Sequence, residues 1–468
     1  MRLLEIITPL LLAIYLFWPH PRPRLVRLAP VIAFAFTLLH FLLEGYRWQM
    51  IPLYVLTLLL TISSLMKIKI QADWPAAASY LTLRLAQGGA VILLAVSTAV
   101  PALLPVPSIP KPGGILEVGT TIFELTDESR NEIYSGVDQP RKFMVQIWYP
   151  ATPLPENKKA PWMSRSDIYG PAISTFLNLP PYFLDHLALT KTPAYIDAPI
   201  AETSIPYPVI LFSHGWNGFN AQNSGEMIQL ASRGYVVVAI NHTYGAVATV
   251  FPDGKIAYNN PNALPEGAPD AEYEIAARKL VNQWAGDLAY ALDFIGIWNS
   301  DSRNSYYSKL DFNRIGVYGH STGGGAAIQF CGTDPRCKAL LGMDPFMRPV
   351  SAEVQANGVS QPAFFMFSQG WADLVDSTNN QLFNQFSQKV SDSKGAITIQ
   401  GTKHYDFSDL PLLSPIAPQL GLKGPLNGKR VTEIVDTYLV DFFEMTLNSK
   451  PSTLFDGNFT DFPEVKLK

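Results

Sequence analysis

A chain of 468 residues exceeds what one ordinary compact core requires, so at least two units are expected, one of them large enough to bury a site. The net charge of −4, without any basic block, leaves no electrostatic footprint for nucleic-acid phosphates, which excludes nucleic acid as a partner. Two cysteines cannot complete a four-ligand zinc site and no HExxH or His-rich spacing occurs, so the chemistry is expected to proceed without metal or cofactor.

Charged residues make up only 16 %, and the apolar excess lies before residue 110. Four runs stand out there: Leu3 to Trp18, Leu28 to Leu43, Met50 to Met66 and Gly89 to Val106. Each approaches the length needed to cross about 30 Å of hydrocarbon as a helix. Their breaks are the stretch His20 to Arg24, then Glu44 to Gln49, then Lys67 to Arg84. Arg22, Arg24 and Arg27 follow the first run, and Lys67, Lys69 and Arg84 follow the third. Positive residues in short loops stay on the cytoplasmic side, so four spans place both termini on the outer face of a cell membrane. Arg2 alone makes a thin n-region and no small-x-small site follows, so the first run reads as a span rather than a cleaved signal. Residues 1–107 are thus expected to be a transmembrane module. Outside the cell, Cys331 and Cys337 are free to pair.

From Pro101 the segment PALLPVPSIPKPGG is too rich in Pro and Gly for regular structure, and 108–114 is taken as a linker. A domain over 115–447 and a tail over 448–468 follow. Within the domain, MVQIWY (144–149) reads as a strand, and the Pro-rich stretch to Pro208 reads as irregular. VILFS (209–213) is a short apolar strand running into His214-Gly215-Trp216-Asn217-Gly218. A helix at 227–232 leads to the strand YVVVAIN (235–241), and a longer helix over about 270–298 precedes the strand RIGVYGH (314–320). Fully apolar strands alternating with amphipathic helices predict a mostly parallel sheet covered on both faces, with function in the loops at the strands' carboxyl ends. Segments 155–200 and 252–278, rich in Pro, Asn and aromatic residues, are either covers of a pocket or plain insertions.

Gly319-His320-Ser321-Thr322-Gly323 sits between an apolar strand and the helix-like AAIQF. This is the G-x-S-x-G elbow of the α/β-hydrolase fold, with Ser321 as nucleophile and Gly319 and Gly323 small because the turn is tight. A serine hydroxyl needs a base to take its proton. Of seven histidines, His20 and His40 lie in the apolar module and His186 in the irregular stretch; His214 and His242 precede the serine, and His320 within the elbow is expected to point away from it. His404, after the strand-like AITIQ, remains as the base. By position alone the orienting acid is either Asp344, ending KALLGMD, or Asp373 or Asp376 after PAFFMFSQ. Oxyanion donors are expected from the Thr322 amide and from the HGWNG turn, with Trp216 the leading candidate.

Six stretches, QIWYPAT (146–152), YPVILFSHGWNGF (207–219), LASRGYVVVAINH (230–242), RIGVYGHSTGGG (314–325), DPRCKALLGMDP (334–345) and HYDFSD (404–409), together resemble the plasma-type platelet-activating factor acetylhydrolase family and its bacterial relatives near the dienelactone hydrolases. The resemblance spans roughly residues 115 to 445. In that family the acid follows the strand after the elbow, which favours Asp344, and the histidine opens an H-x-x-F-S-D-like motif, which matches His404. It also implies hydrolysis of short-acyl esters, including the sn-2 position of certain phospholipids, without metal or calcium. Trp216 stands where the family usually carries a smaller aliphatic residue, and the secreted members lack the four apolar runs.

The resulting expectation is an integral-membrane serine esterase whose partner is an ester or phospholipid-like molecule. Acyl transfer by the same residues, or a silent binding protein on this scaffold, are the competing readings. A transporter is disfavoured because the apolar runs carry no charge apart from Glu5.

Overall fold

The computed structural model describes residues 1–19, 21–69, 80–457 and 459–468, with side chains at 67–69 and 80–83 left aside. His20, the side chains of Lys67 and Lys69, and the middle of the Lys67 to Arg84 break therefore lie outside the described residues. The chain divides into two units, the first comprising 1–107 with the short segments 183–190 and 413–416, the second the remainder from Ser108.

In the first unit the four apolar runs are helices: α1 (Leu3–Phe17), α2 (Arg24–Leu43), α3 (Ile51–Lys69) and α4 (Tyr80–Leu103). Three are long and apolar enough to cross a membrane. The first is 15 residues, about 22 Å at 1.5 Å per residue, short of the hydrocarbon thickness. The fourth begins nine residues before the apolar run and carries Pro101 within its last turn. Leu12, Ala29, Ala33, Met50, Leu53, Leu56 and Leu94 pack between the helices. The module is more polar inside than its runs suggest. Glu5 in α1 accepts from Arg2 at 2.8 Å and from the fully buried Arg47 at 2.9 Å. His40 bridges Glu44 at 3.0 Å and Tyr54 at 2.8 Å, and Gln49 donates to His186 at 2.8 Å. Opposite charges thus neutralise one another at the helix ends, which makes burial tolerable.

The second unit is built on an eleven-stranded sheet. Its strands are β1 (Glu117–Asn131), β2 (Pro140–Ala151), β3 (Lys159–Pro161), β4 (Lys191–Ile196), β5 (Tyr207–Ser213), β6 (Val236–Asn241), β9 (Leu310–His320), β10 (Ala339–Met343), β11 (Pro362–Ser368), β12 (Asp392–Ile399) and β13 (Val465–Leu467), while β7 (Ala248–Val250) and β8 (Ile256–Tyr258) form a separate ribbon. The order is β13-β12-β11-β10-β9-β5-β6-β2-β1-β4-β3. The six strands from β12 to β6 are parallel, and β2 joins antiparallel at one side and β13 at the other. Every residue of β5, β6 and β10 is buried, as continuous apolar runs in a sheet covered on both faces require. The helices are α5 (Ser166–Phe176), α6 (Ser224–Ala231), α7 (Asp270–Ser300), α8 (Thr322–Thr333), α9 (Ala352–Asn357), α10 (Gln369–Ala372), α11 (Thr378–Ser387) and α12 (Gly428–Leu447).

Two stretches differ from expectation. The Pro-rich segment before Pro208 contains α5, β3 and β4, and β4 pairs in parallel with β1 through Gly119 and Thr120. The stretch 448–468 ends in β13, which extends the sheet beside Ile397, Thr398 and Ile399. β3 and β13 are the short edge strands and β4 lies next to the edge, and such short strands give little signal in apolar periodicity.

Candidate active site

The elbow is a backbone feature before it is a chemical one. β9 ends at His320, Ser321 takes φ +55°, and α8 begins at Thr322. A non-glycine residue with positive φ is held there only by its surroundings. Here the Ser321 N–H donates to Met343 O at 2.9 Å, and its carbonyl accepts from Phe346 N at 2.9 Å. Neither flanking glycine has room for a side chain. A Cβ on Gly319 would sit 2.3 Å from Gly323 O, and one on Gly323 would sit 2.1 Å from Ser213 O.

β10 lies beside β9 and delivers Asp344 directly after its last residue, also with positive φ. Its Oδ1 accepts from Ser368 N at 2.8 Å, and its Oδ2 accepts from Ser368 Oγ at 2.6 Å and pairs with His404 Nδ1 at 3.0 Å. Burial pushes the Asp344 carboxyl up and, for the same reason, the His404 imidazole down to about 4. The converging donors on Asp344 oppose its shift, since each favours the carboxylate. Asp373, the alternative acid, stands exposed at the end of α10 with no bond to His404 among the described residues.

His404 occupies the loop after β12. Its ring stacks on Trp371 with centroids 4.3 Å apart and planes 14° from parallel. His320 turns toward this loop rather than away from the site, its ring 4.5 Å from that of His404. Gln222 Nε2 can only donate, so His320 Nδ1 accepts at 3.2 Å and His320 Nε2–H donates to the His404 carbonyl at 3.0 Å. Sequence reasoning missed this role, as it missed Ser368 and Trp371. The one available signal is the strand end: Ser368 closes β11 as Asp344 follows β10.

Two amides lie in the turns that meet at Ser321. The Thr322 N–H precedes the first intrahelical bond of α8, Gly325 N to Ser321 O, and is among the donors a helix start leaves over. The Trp216 N–H has no acceptor among the described residues. Its turn abuts Ser321, because a Cβ on Gly215 would lie 3.3 Å from Ser321 Cβ. Ser321 Oγ makes no hydrogen bond among the described residues. The arrangement thus holds a half-buried imidazole on a buried carboxyl, a hydroxyl on a strained turn, and two amides near it, the parts that acyl transfer needs.

Away from this site, Cys331 in α8 and Cys337 before β10 form a disulfide.

Residues 107–457 match the family model described as platelet-activating factor acetylhydrolase, isoform II. A platelet-activating factor acetylhydrolase of Cavia porcellus is 25 % identical over 364 residues, 73 % of this chain and 78 % of the relative. A probable 1-alkyl-2-acetylglycerophosphocholine esterase of Arthroderma benhamiae is 23 % identical over 419 residues, 81 % of this chain and 98 % of the relative. In fold the chain is similar to a ferulic acid esterase from Streptomyces cinnamoneus, with a TM-score of 0.63 at 24 % identity over 77 % of this chain and 99 % of that one. The chain belongs to the platelet-activating factor acetylhydrolase, isoform II, family of ester hydrolases.

Proposed function

We propose that the chain hydrolyses short-acyl esters of lipid-like alcohols, 1-alkyl-2-acetylglycerophosphocholine among them, through an acyl-enzyme on Ser321. The observation that carries this reading is the His404 Nδ1 to Asp344 Oδ2 pair at 3.0 Å, set beside a serine at φ +55°. With Nδ1–H directed at Asp344, His404 Nε2 is left to accept the Ser321 hydroxyl proton as Oγ attacks the ester carbonyl. The Trp216 and Thr322 amides bind the oxygen on which negative charge develops. His404 then returns its proton to the leaving alcohol, and the acyl-enzyme is hydrolysed by water activated through the same base. The lipid-like substrate rests on the names of the relatives above.

In this reading residues 1–107 form a membrane module and 108–114 a linker, and the hydrolase domain (115–447, with 448–468 after it) lies on the outer face. Three helices of sufficient length, Arg22, Arg24 and Arg27 at the start of the first of them, and a disulfide that belongs to oxidising compartments support it.

The test is hydrolysis of p-nitrophenyl esters from acetyl to palmitoyl, and of 1-alkyl-2-acetylglycerophosphocholine, by detergent-solubilised protein and by its Ser321→Ala variant. Turnover of short chains that disappears in the variant is expected. Turnover that survives the substitution removes Ser321 from the mechanism.

A further inference from the structure

Two histidines that precede the nucleophile in sequence lie next to it in space without touching it. His214 follows β5 and His242 follows β6, and both are fully buried. The hydrogen-bond directions around them can be read without ambiguity. Asp287 of α7 is held as a carboxylate by Arg141, which bonds both of its oxygens at 3.1 and 2.6 Å, and by Arg130 at 2.9 Å. A carboxylate only accepts, so His242 Nδ1 carries the proton it directs at Asp287 Oδ2, 2.9 Å away. His242 Nε2 is then the acceptor for Ser213 Oγ–H at 2.9 Å. The result is a second Ser–His–Asp set, sealed from solvent, with its imidazole stacked on Trp284 at 4.2 Å and 4°.

The same logic fixes His214. The His242 backbone N–H donates to His214 Nε2 at 3.1 Å, so the proton of His214 sits on Nδ1 and goes to the Gly215 carbonyl at 2.7 Å. Gly218 N donates to that carbonyl as well, at 2.9 Å. The Gly215–Trp216 peptide is planar and trans, so fixing its C=O on the buried side fixes its N–H on the opposite side. That N–H is the unengaged Trp216 amide, in the turn whose Gly215 lies against Ser321.

We infer that His214 is a positioning residue for the oxyanion hole, holding the Gly215–Trp216 peptide so that the Trp216 amide faces the developing charge, with the buried Ser213–His242–Asp287 set holding in place the residue whose backbone N–H fixes the tautomer of His214. The inference rests on the mechanism proposed above. Protonating His214 would oppose an N–H to the His242 backbone donor, and burial disfavours protonating either ring, holding His242 down at about 4 and His214 well below the usual range. The charged groups packed around them, Arg130, Arg141, Asp287 and Glu132, pair among themselves and leave His214 neutral.

A pair of substitutions separates this role from packing. His214→Asn keeps an amide donor at the Nδ1 position, whereas His214→Gln is closer in volume but keeps only an acceptor at the Nε2 position. Removing an oxyanion donor lowers kcat on the order of 10²–10³-fold, so a displaced one is expected to cost His214→Gln roughly 10–10²-fold in kcat with KM little changed. His214→Asn should recover most of that loss. A short-chain trifluoromethyl ketone, whose adduct places an oxyanion in the hole, should lose affinity for His214→Gln by the same factor. Equal kcat and equal ketone affinity in the two variants would overturn the inference while leaving wild-type turnover and its dependence on Ser321 intact, and loss of that dependence would instead strike the mechanism itself. Should neither variant fold, side-chain ¹⁵N shifts of the wild-type histidines decide: the Nδ1–H form of His214 at neutral pH is required, and an Nε2–H form or an imidazolium contradicts it.

Discussion

At the scale of single residues, the site depends on which acid holds His404. With Asp344 as the partner, Asp344→Asn leaves the geometry but supplies a donor where an acceptor is needed, and kcat should fall on the order of 10⁴-fold. Asp373→Asn should leave kcat within about twofold, because Asp373 is exposed and makes no bond to His404 among the described residues. Comparable losses in both variants would show that the geometry at Asp344 is not the working one. The pH dependence follows from burial of the base. His404 is held down at about 4, and only its neutral form accepts the Ser321 proton. Activity should therefore persist as pH falls through the ordinary histidine range near 6.5 and be lost only below about pH 5. An acid limb of kcat/KM centred near 6.5 would contradict this.

At the scale of elements, α6 carries an unusual load. Asp409 caps its first turn, accepting from Ser224 N at 2.8 Å and Gly225 N at 3.1 Å, and takes the Trp162 indole N–H at 2.8 Å. Glu226 inside the helix and Asp436 on α12 complete a cluster of three buried carboxyls. Burial raises Asp409 and Asp436 to about 7 and Glu226 well above its usual range. These groups keep their protons to about pH 7 in the fold but lose them near pH 4 when unfolded. The folded state thus binds more protons across that window, and stability falls as pH rises through it. Asp436→Asn keeps the acceptor for Gln229 and removes a charge, so thermal unfolding should show it gaining on the wild type by on the order of 2 kcal/mol between pH 5 and pH 8. A stability difference independent of pH would mean that Asp436 is already ionised in the fold.

The same scale explains what the sequence could and could not disclose. β5, β6, β10 and the second half of β9 are short, buried and mostly apolar, and the ends of β5, β9 and β10 were visible as the HGWNG turn, the elbow and Asp344. β4 and β13 are only six and three residues long and lie at or next to the sheet's edges, too short for a period to stand out. His320 illustrates the other kind of gap. Its place in the elbow was plain, but its partners are Gln222 and the backbone of residue 404, and backbone carbonyls leave no trace in side-chain chemistry. The pair of His242 and Asp287 was hidden differently, because its two side chains lie 45 positions apart in sequence and only the fold brings them together.

At the scale of the whole molecule, the disulfide and the apolar helices make one joint prediction. If the hydrolase domain faces the outside, Cys331 and Cys337 are oxidised in the cell, and protein denatured without reductant should yield no free thiol. Replacing both by alanine should lower stability by about 2 kcal/mol, the entropy of closing so short a loop. Free thiols in freshly isolated protein would place the domain on the reducing side instead. The ionic cluster of the first unit adds a constraint on its own folding: Arg47 and Glu5 are both fully buried, and removing Glu5 leaves the Arg47 charge without its carboxylate, which costs several kcal/mol.

The central claim is that Ser321 is the nucleophile. Its most direct test is reaction of the detergent-solubilised full chain with a fluorophosphonate, followed by peptide mapping and by the residual rate on p-nitrophenyl acetate. A single adduct on Ser321, formed in step with the loss of turnover and absent from the His404→Ala variant, is the result this account predicts. An adduct on another residue, or full turnover from protein labelled at Ser321, would contradict it.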